Sequence, residues 1–148
     1  MSAERDLMIK SLQQIVIPSL RERGFKGSFP HFYRILNDRT DLLMFQFSMY
    51  DGVLYVEISK CSAEGYTEEI SGKHIPSNKI KVYQIGGGSP FNRTRIGKDT
   101  GNTFEFNEIN TDEVARKIFY TLREAEDWWS LYPNWWNNKA FDFHNREL

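Results

Sequence analysis

The side chains equipped for covalent or metal chemistry are few and far apart in this chain of 148 residues. It has one cysteine, Cys61, and three histidines, His31, His74 and His144. A nucleophilic centre needs a thiol or a serine hydroxyl within hydrogen-bond reach of a base. No spacing here predicts that Cys61 meets a histidine, and the sequence assigns no catalytic residue. Zinc sites call for H-x-x-x-H, H-x-E or paired cysteines. The sequence has none of these, so neither a metal nor another cofactor is expected. Gly86-Gly87-Gly88-Ser89 is followed by Pro90 instead of the Lys-Ser/Thr and helix start of a phosphate-cradling loop, and reads as a turn.

Binding chemistry has more to work with. Lys60 to Gly101 holds seven basic and four acidic residues, a net of +3, whereas Asn102 to Leu148 nets -4. The basic excess gathers in Lys79, Lys81, Arg93, Arg95 and Lys98, with Tyr83 and Phe91 interleaved. Arg93, Arg95 and Lys98 are the candidate anion-binding set. Trp128, Trp129, Tyr132, Trp135 and Trp136 place five large rings in nine residues. Trp129 continues a helical core stripe. A helix stopped by Pro133 cannot turn all the others inward, so Trp128, Trp135 and Trp136 are candidate partner contacts, unless the tail folds back as a lid over the sheet edge.

These residues need elements to position them. Residues 2–23 read as a helix with Leu7, Leu12, Ile15 and Leu20 along one side. Ser2 is its N-cap, and Gly24-Phe25 its Schellman ending, with Phe25 against Leu20. Pro18 cannot donate to Gln14, which predicts a kink or a break into two pieces. A strand from Phe29 to Leu36 leads into a hairpin from Asp41 to Lys60. With Asp51-Gly52 as a two-residue turn, Tyr50 faces Val53, Met49 faces Leu54, Phe47 faces Val56 and Phe45 faces Ile58, an apolar core face. The other face pairs Ser48 with Tyr55, Gln46 with Glu57 and Met44 with Ser59. It is half-wet, and Gln46, Tyr55 and Glu57 on it are candidate partner contacts.

Beyond the hairpin, Cys61 to Asn78 reads as a long loop with one helical turn near Thr67 to Ile70, and Lys79 to Ile85 as a strand. Thr103 to Phe106 reads as a last short strand, after the loop carrying Arg93, Arg95 and Lys98. A second helix opens at Asn110, with Glu113 completing a capping box and Ile109 and Val114 a hydrophobic staple. Its stripe is Val114, Ile118, Leu122, Ala125 and Trp129, and residues 134–148 form an aromatic tail. This order predicts one α+β domain over residues 1–148: an antiparallel β-meander sheet of four to six strands with N-terminal and C-terminal helices packed on one face, the one carrying Phe45 and Phe47.

A formal charge of -1 removes the electrostatic case for a dedicated nucleic-acid or anionic-membrane binder. A single cysteine excludes an internal disulfide and suits a reducing compartment. No run approaches the roughly 20 apolar residues of a membrane-spanning helix, and Glu4, Arg5 and Asp6 do not begin a secretory signal. A cytoplasmic protein without a membrane partner is expected.

Ile17-Pro18-Ser19-Leu20, Gly24-Phe25-Lys26, Phe32-Tyr33-Arg34, the strand bearing Gln46, Arg93-Thr94-Arg95-Ile96-Gly97 and Asp127-Trp128-Trp129 follow one another in this sequence. Their order resembles the bacterial family of a domain of unknown function, DUF4304, over Leu7 to Trp129. The resemblance implies no activity. Small α+β chains without catalytic signatures suit recognition of another protein. The expectation is a non-enzymatic protein-binding domain, in one version an immunity-type inhibitor that plugs a toxin domain. The alternative is a small-ligand-binding protein, or an enzyme acting on an anionic substrate held by Arg93 or Arg95. Nucleic acid is disfavoured as a partner.

Overall fold

The computed structural model describes residues 2–50, 52–86 and 92–136. Asp51, most of the glycine run and the tail from residue 137 lie outside the described residues.

The N-terminal helix is broken, as Pro18 predicts. α1 (Ala3–Ser11) passes through a π-helical turn, Leu12–Val16, into α2 (Ile17–Glu22), with Pro18 in its first turn. There the missing donor is one the helix does not need, and the widened turn accommodates the ring. The buried stripe is Met8, Leu12, Val16 and Leu20, a spacing of four that leaves Leu7 exposed and Ile15 at the margin. Ser2 caps the start by accepting the Arg5 N–H at 3.1 Å. At the end, Gly24 has φ +95, its N–H donates to the Arg21 carbonyl, and Phe25 N–H donates to that of Leu20. That is the expected Schellman ending.

Four strands follow as a meander: β1 (Lys26–Ser28), β2 (His31–Ile35), β3 (Thr40–Phe47) and β4 (Val53–Cys61). The free side of β4 is shared by β7 (Arg93–Arg95) and β8 (Phe104–Glu105), completing a six-stranded antiparallel sheet. Arg93 and Arg95 are therefore on a strand, not the loop their sequence suggested. The register differs from the expected one: Phe47 faces Leu54, Phe45 faces Val56 and Leu43 faces Ile58. Ser48 N–H donates to the Val53 carbonyl at 3.0 Å, so residues 49–52 connect the strands. A slip of two keeps every side chain on its predicted face, and its casualty is Met49, 86% exposed instead of in the core.

α3 (Thr111–Leu131) joins α1 and α2 on the Phe45 face, with Val114, Ile118, Leu122, Ala125 and Trp129 buried as predicted. Its capping box and staple do not form. The Asn110 side chain accepts the Asn107 N–H instead of capping the helix, and Ile109 is 95% exposed.

The second sheet face is not half-wet throughout. Residues 61–85 fold across it. β5 (Tyr66–Thr67) and β6 (His74–Ile75) form a small hairpin in place of the expected helical turn. A 3-10 turn at Val82–Gln84 replaces the expected strand. Ile75, Ile80, Val82 and Ile85 bury Leu42, Met44 and Cys61 in a second core. The cover ends before the hairpin tip, and Gln46 stays exposed.

Candidate functional site

That uncovered end of the second face gathers most of the residues singled out from sequence. Cross-strand pairing places Gln46 beside Tyr55, and Glu57 beside Arg95. The Arg95 guanidinium lies 3.8 Å from the centre of the Tyr55 ring, a cation–π contact. Its Nε is 3.6 Å from Glu57 Oε2, and Arg93 Nη2 is 3.9 Å from Glu57 Oε1. These are loose ion pairs around a nearly buried carboxylate. Arg93 Nη1 also donates to the Tyr83 and Ile85 carbonyls at 3.1 and 3.2 Å, tying β7 to the cover. Gln46, Tyr55 and Glu57, read as partner contacts, and Arg93 and Arg95, read as anion ligands, thus form one patch. Arg93 is engaged within the fold, whereas the Arg95 side chain is 40% exposed.

Lys98 lies elsewhere, in a 3-10 turn after Gly97. The N–H groups of Gly97 and Lys98 hold the Glu124 carboxylate of α3 at 2.9 and 3.2 Å, a backbone anion cradle filled by the protein's own acid. Gly97 has φ +99, and a Cβ there would stand 2.9 Å from the Phe104 ring. A concavity of about 750 Å³ runs between this segment and α3, lined among others by Lys98, Tyr120, Arg123, Trp128, Leu131 and Tyr132. Arg95 contributes to its wall, but strand alternation sends the guanidinium through the other face, to Tyr55.

The tryptophans are not part of the patch. Trp128 is buried, its ring 5.6 Å from that of Tyr132 and 5.5 Å from Lys60 Nζ, so the expected exposure of this ring is not found. Trp135 and Trp136 are half-buried. The Trp135 indole donates to the Lys60 carbonyl at 2.9 Å and meets Tyr66 edge-on, and Trp136 meets Trp135. Trp135 closes the second core at the far end of β4 from Tyr55.

Lys60 and the ion-pair cluster around Arg34 carry no sequence signal. Lys60 is fully buried, and its Nζ donates to the carbonyls of Trp129 and Tyr132 at the end of α3. Burial, with Arg39 nearby, pushes its pKa down to about 8, against the pull of Asp41 and Asp38. Arg34 is gripped by Asp41 and Glu126, each 2.7 Å from its Nη2, while Arg39 binds Asp41 and Arg23 binds Glu126. The Arg34 guanidinium also lies over Phe25 and Trp129, 4.6 and 5.2 Å from their ring centres. Burial works against the Glu126 charge, but Arg34 and Arg23 overcome it and hold its pKa below the usual carboxylate range.

Cys61 is a poor nucleophile, because burial pushes its thiol up to about 12 and thiolate is the reactive form. Among the described residues, no group of His, Cys, Asp and Glu could hold a metal ion. None of their helices is long and apolar enough to cross a membrane. No curated protein and no solved structure matches the chain. The family model for a domain of unknown function, DUF4304, matches residues 16–132. That span includes the Schellman ending, Arg34, the whole Gln46–Tyr55–Arg95 patch and α3, so both the Arg34 cluster and the exposed patch belong to a chain of the DUF4304 family.

Proposed function

We propose that this chain is a non-enzymatic binding domain that recognises another protein through the uncovered end of its sheet. Gln46, Tyr55 and Arg95 form the centre of the surface, and Met49 and Tyr50, 86% and 75% exposed, lie at the hairpin tip beyond it. The observation that carries this reading is Arg95 seated on the Tyr55 ring above the nearly buried Glu57. Tyr, Arg and Met are enriched at protein interfaces. Held on paired strands, Gln46, Tyr55 and Arg95 lose little further freedom on docking. The partner is a protein surface with a carboxylate for Arg95 and an apolar contact for Met49 and Tyr50.

A photo-crosslinking residue at position 55, with one at Ile109 as control, tests this in cells that make the protein natively. One protein is expected to couple from position 55 and not from 109, with affinity falling about tenfold or more in Arg95→Ala. No position-dependent product would remove the reading. An immunity-type inhibitor is its most specific form: co-expression would restore growth of cells making a candidate toxin domain, and Arg95→Ala would not.

The concavity beside α3 favours a second reading, a small-ligand site, since its volume lies in the usual range for such sites; Lys98 and Arg123 are its cations for an anionic group, beside Asp99, Glu124 and Asp127 on the same wall. A saturable thermal shift with an aromatic carboxylate, abolished by Arg123→Ala, would support it.

A further inference from the structure

A smaller cavity, about 230 Å³, lies between the β1–β2 turn and the crossing segment at residues 78–81. The polar side chains on its wall are Ser28, His31, Tyr33, Asn78, Lys79 and Lys81. All can donate hydrogen bonds and none is a carboxylate. Neither lysine is buried, and neither forms an ion pair with a described residue.

His31 reports on this cavity from beneath its wall. His31 Nδ1 is buried and has no hydrogen-bond partner among the described residues, an arrangement that native proteins largely avoid. The imidazole is fixed by the Tyr83 ring, 5.8 Å away between centres. The turn beside it is equally fixed: Gly27 has φ +101, and a Cβ there would stand 2.6 Å from the His31 carbonyl oxygen.

We propose that this cavity binds a small tetrahedral oxyanion, phosphate or the phosphate of a monoester, with Lys79 and Lys81 supplying charge, Ser28 and Asn78 supplying hydrogen bonds, and the His31 ring forming part of the wall. A phosphate dianion offers acceptors in several directions to a wall of donors, and charge-assisted bonds of this type are the stronger ones. A carboxylate, planar and with two oxygens, leaves part of the wall unfilled. The volume lies below the usual range for drug-sized ligands, so the head group is held and anything esterified to it lies outside. The site is distinct from the Gln46–Tyr55–Arg95 surface, and either assignment can fail without the other.

The test follows the imidazole proton resonances of the full chain by NMR during titration with inorganic phosphate, glycerol phosphate and acetate, at constant ionic strength in chloride. The His31 signal is expected to move saturably with millimolar or lower phosphate while His74 stays still, and acetate gives no saturation. Lys79→Met/Lys81→Met, with an otherwise native spectrum, is expected to weaken phosphate binding about tenfold or more. Equal affinity for the two phosphates marks the free anion as sufficient, and tighter glycerol phosphate marks an organic phosphate as the ligand; both support the site. It is overturned by a His31 response no different from that to chloride, by an equal response to acetate, or by undiminished binding in the double lysine variant.

Discussion

Arg34 and Arg95 each lie over an aromatic ring beside a carboxylate, yet the fold treats them in opposite ways. Arg34 is 11% exposed and contacts Asp41, itself fully buried, and Glu126 at 2.7 Å. It joins β2, β3 and α3 and rests on Phe25 and Trp129. Arg95 is 40% exposed, its nearest contact with Glu57 is 3.6 Å, and its only ring is Tyr55 among those described. At the first site desolvated charges depend on one another, and removing one strands the rest. At the second, solvent and distance leave the charge weakly coupled to its neighbours. A guanidinium over a ring is therefore not a functional signature by itself. What separates a structural arginine from an available one is whether its carboxylate can be exchanged for another molecule's.

The sharpest way to break this contrast is Asp41→Ala, which leaves the largely desolvated Arg34 with half its counter-charge and also strips Arg39 of its partner. A loss on the order of 3–5 kcal/mol is expected, read from urea unfolding at neutral pH. A loss below about 1 kcal/mol would place the Arg34 cluster in the same class as Arg95.

A pH series sharpens the same side. Glu126 has a lowered folded pKa, so its contribution is complete above the ordinary carboxylate pKa and disappears as pH falls through the lowered value. Glu126→Gln should flatten the acid limb of the stability curve. Lys60 probes burial without a carboxylate partner. Its folded amine releases its proton near pH 8 and the unfolded one near 10.5, so the unfolded state binds more protons between those values and stability rises with pH across that window. The difference between wild type and Lys60→Met should show a rise on the order of 1–3 kcal/mol between pH 8 and 10.5. A flat difference would mean that water or the helix carbonyls keep the ammonium as stable as in solution.

The two regions were unequally legible in the sequence. Local signals held: the Leu20–Gly24–Phe25 ending and the α3 stripe depend on neighbours within one or two turns, and both formed. The hairpin kept its faces although its register moved by two residues, because side-chain direction repeats every two. The cover over the second face left no period to read, since Ile75, Ile80, Val82 and Ile85 reach it from a small hairpin, a 3-10 turn and irregular chain. The capping box at Asn110 failed because Asn107 claimed its acceptor. Arg34 and Lys60 rest on partners as many as 92 and 72 residues away, beyond any spacing rule. Of the exposed site, each residue was visible singly. What joined the two sets was the Glu57–Arg95 pairing, invisible while Arg93 to Arg95 read as a loop.

The smallest expected effect on stability is also the one that best separates the two arginines. Arg95→Ala removes an exposed cation and a ring contact, and leaves Glu57 with Arg93 still 3.9 Å away. The change in unfolding free energy should stay within about 0–1 kcal/mol, while binding of the partner captured through position 55 falls. Arg95→Lys adds a finer distinction: lysine keeps the charge but not the flat fork that stacks on Tyr55 and can meet a carboxylate with two bonds. If lysine preserves binding, the partner reads charge alone; if it fails as alanine does, the partner reads the oriented guanidinium. Should Arg95→Ala instead unfold the domain as severely as Asp41→Ala, Arg95 would be a second Arg34, a strut between β7 and β4, and the sheet end would present no surface to a partner.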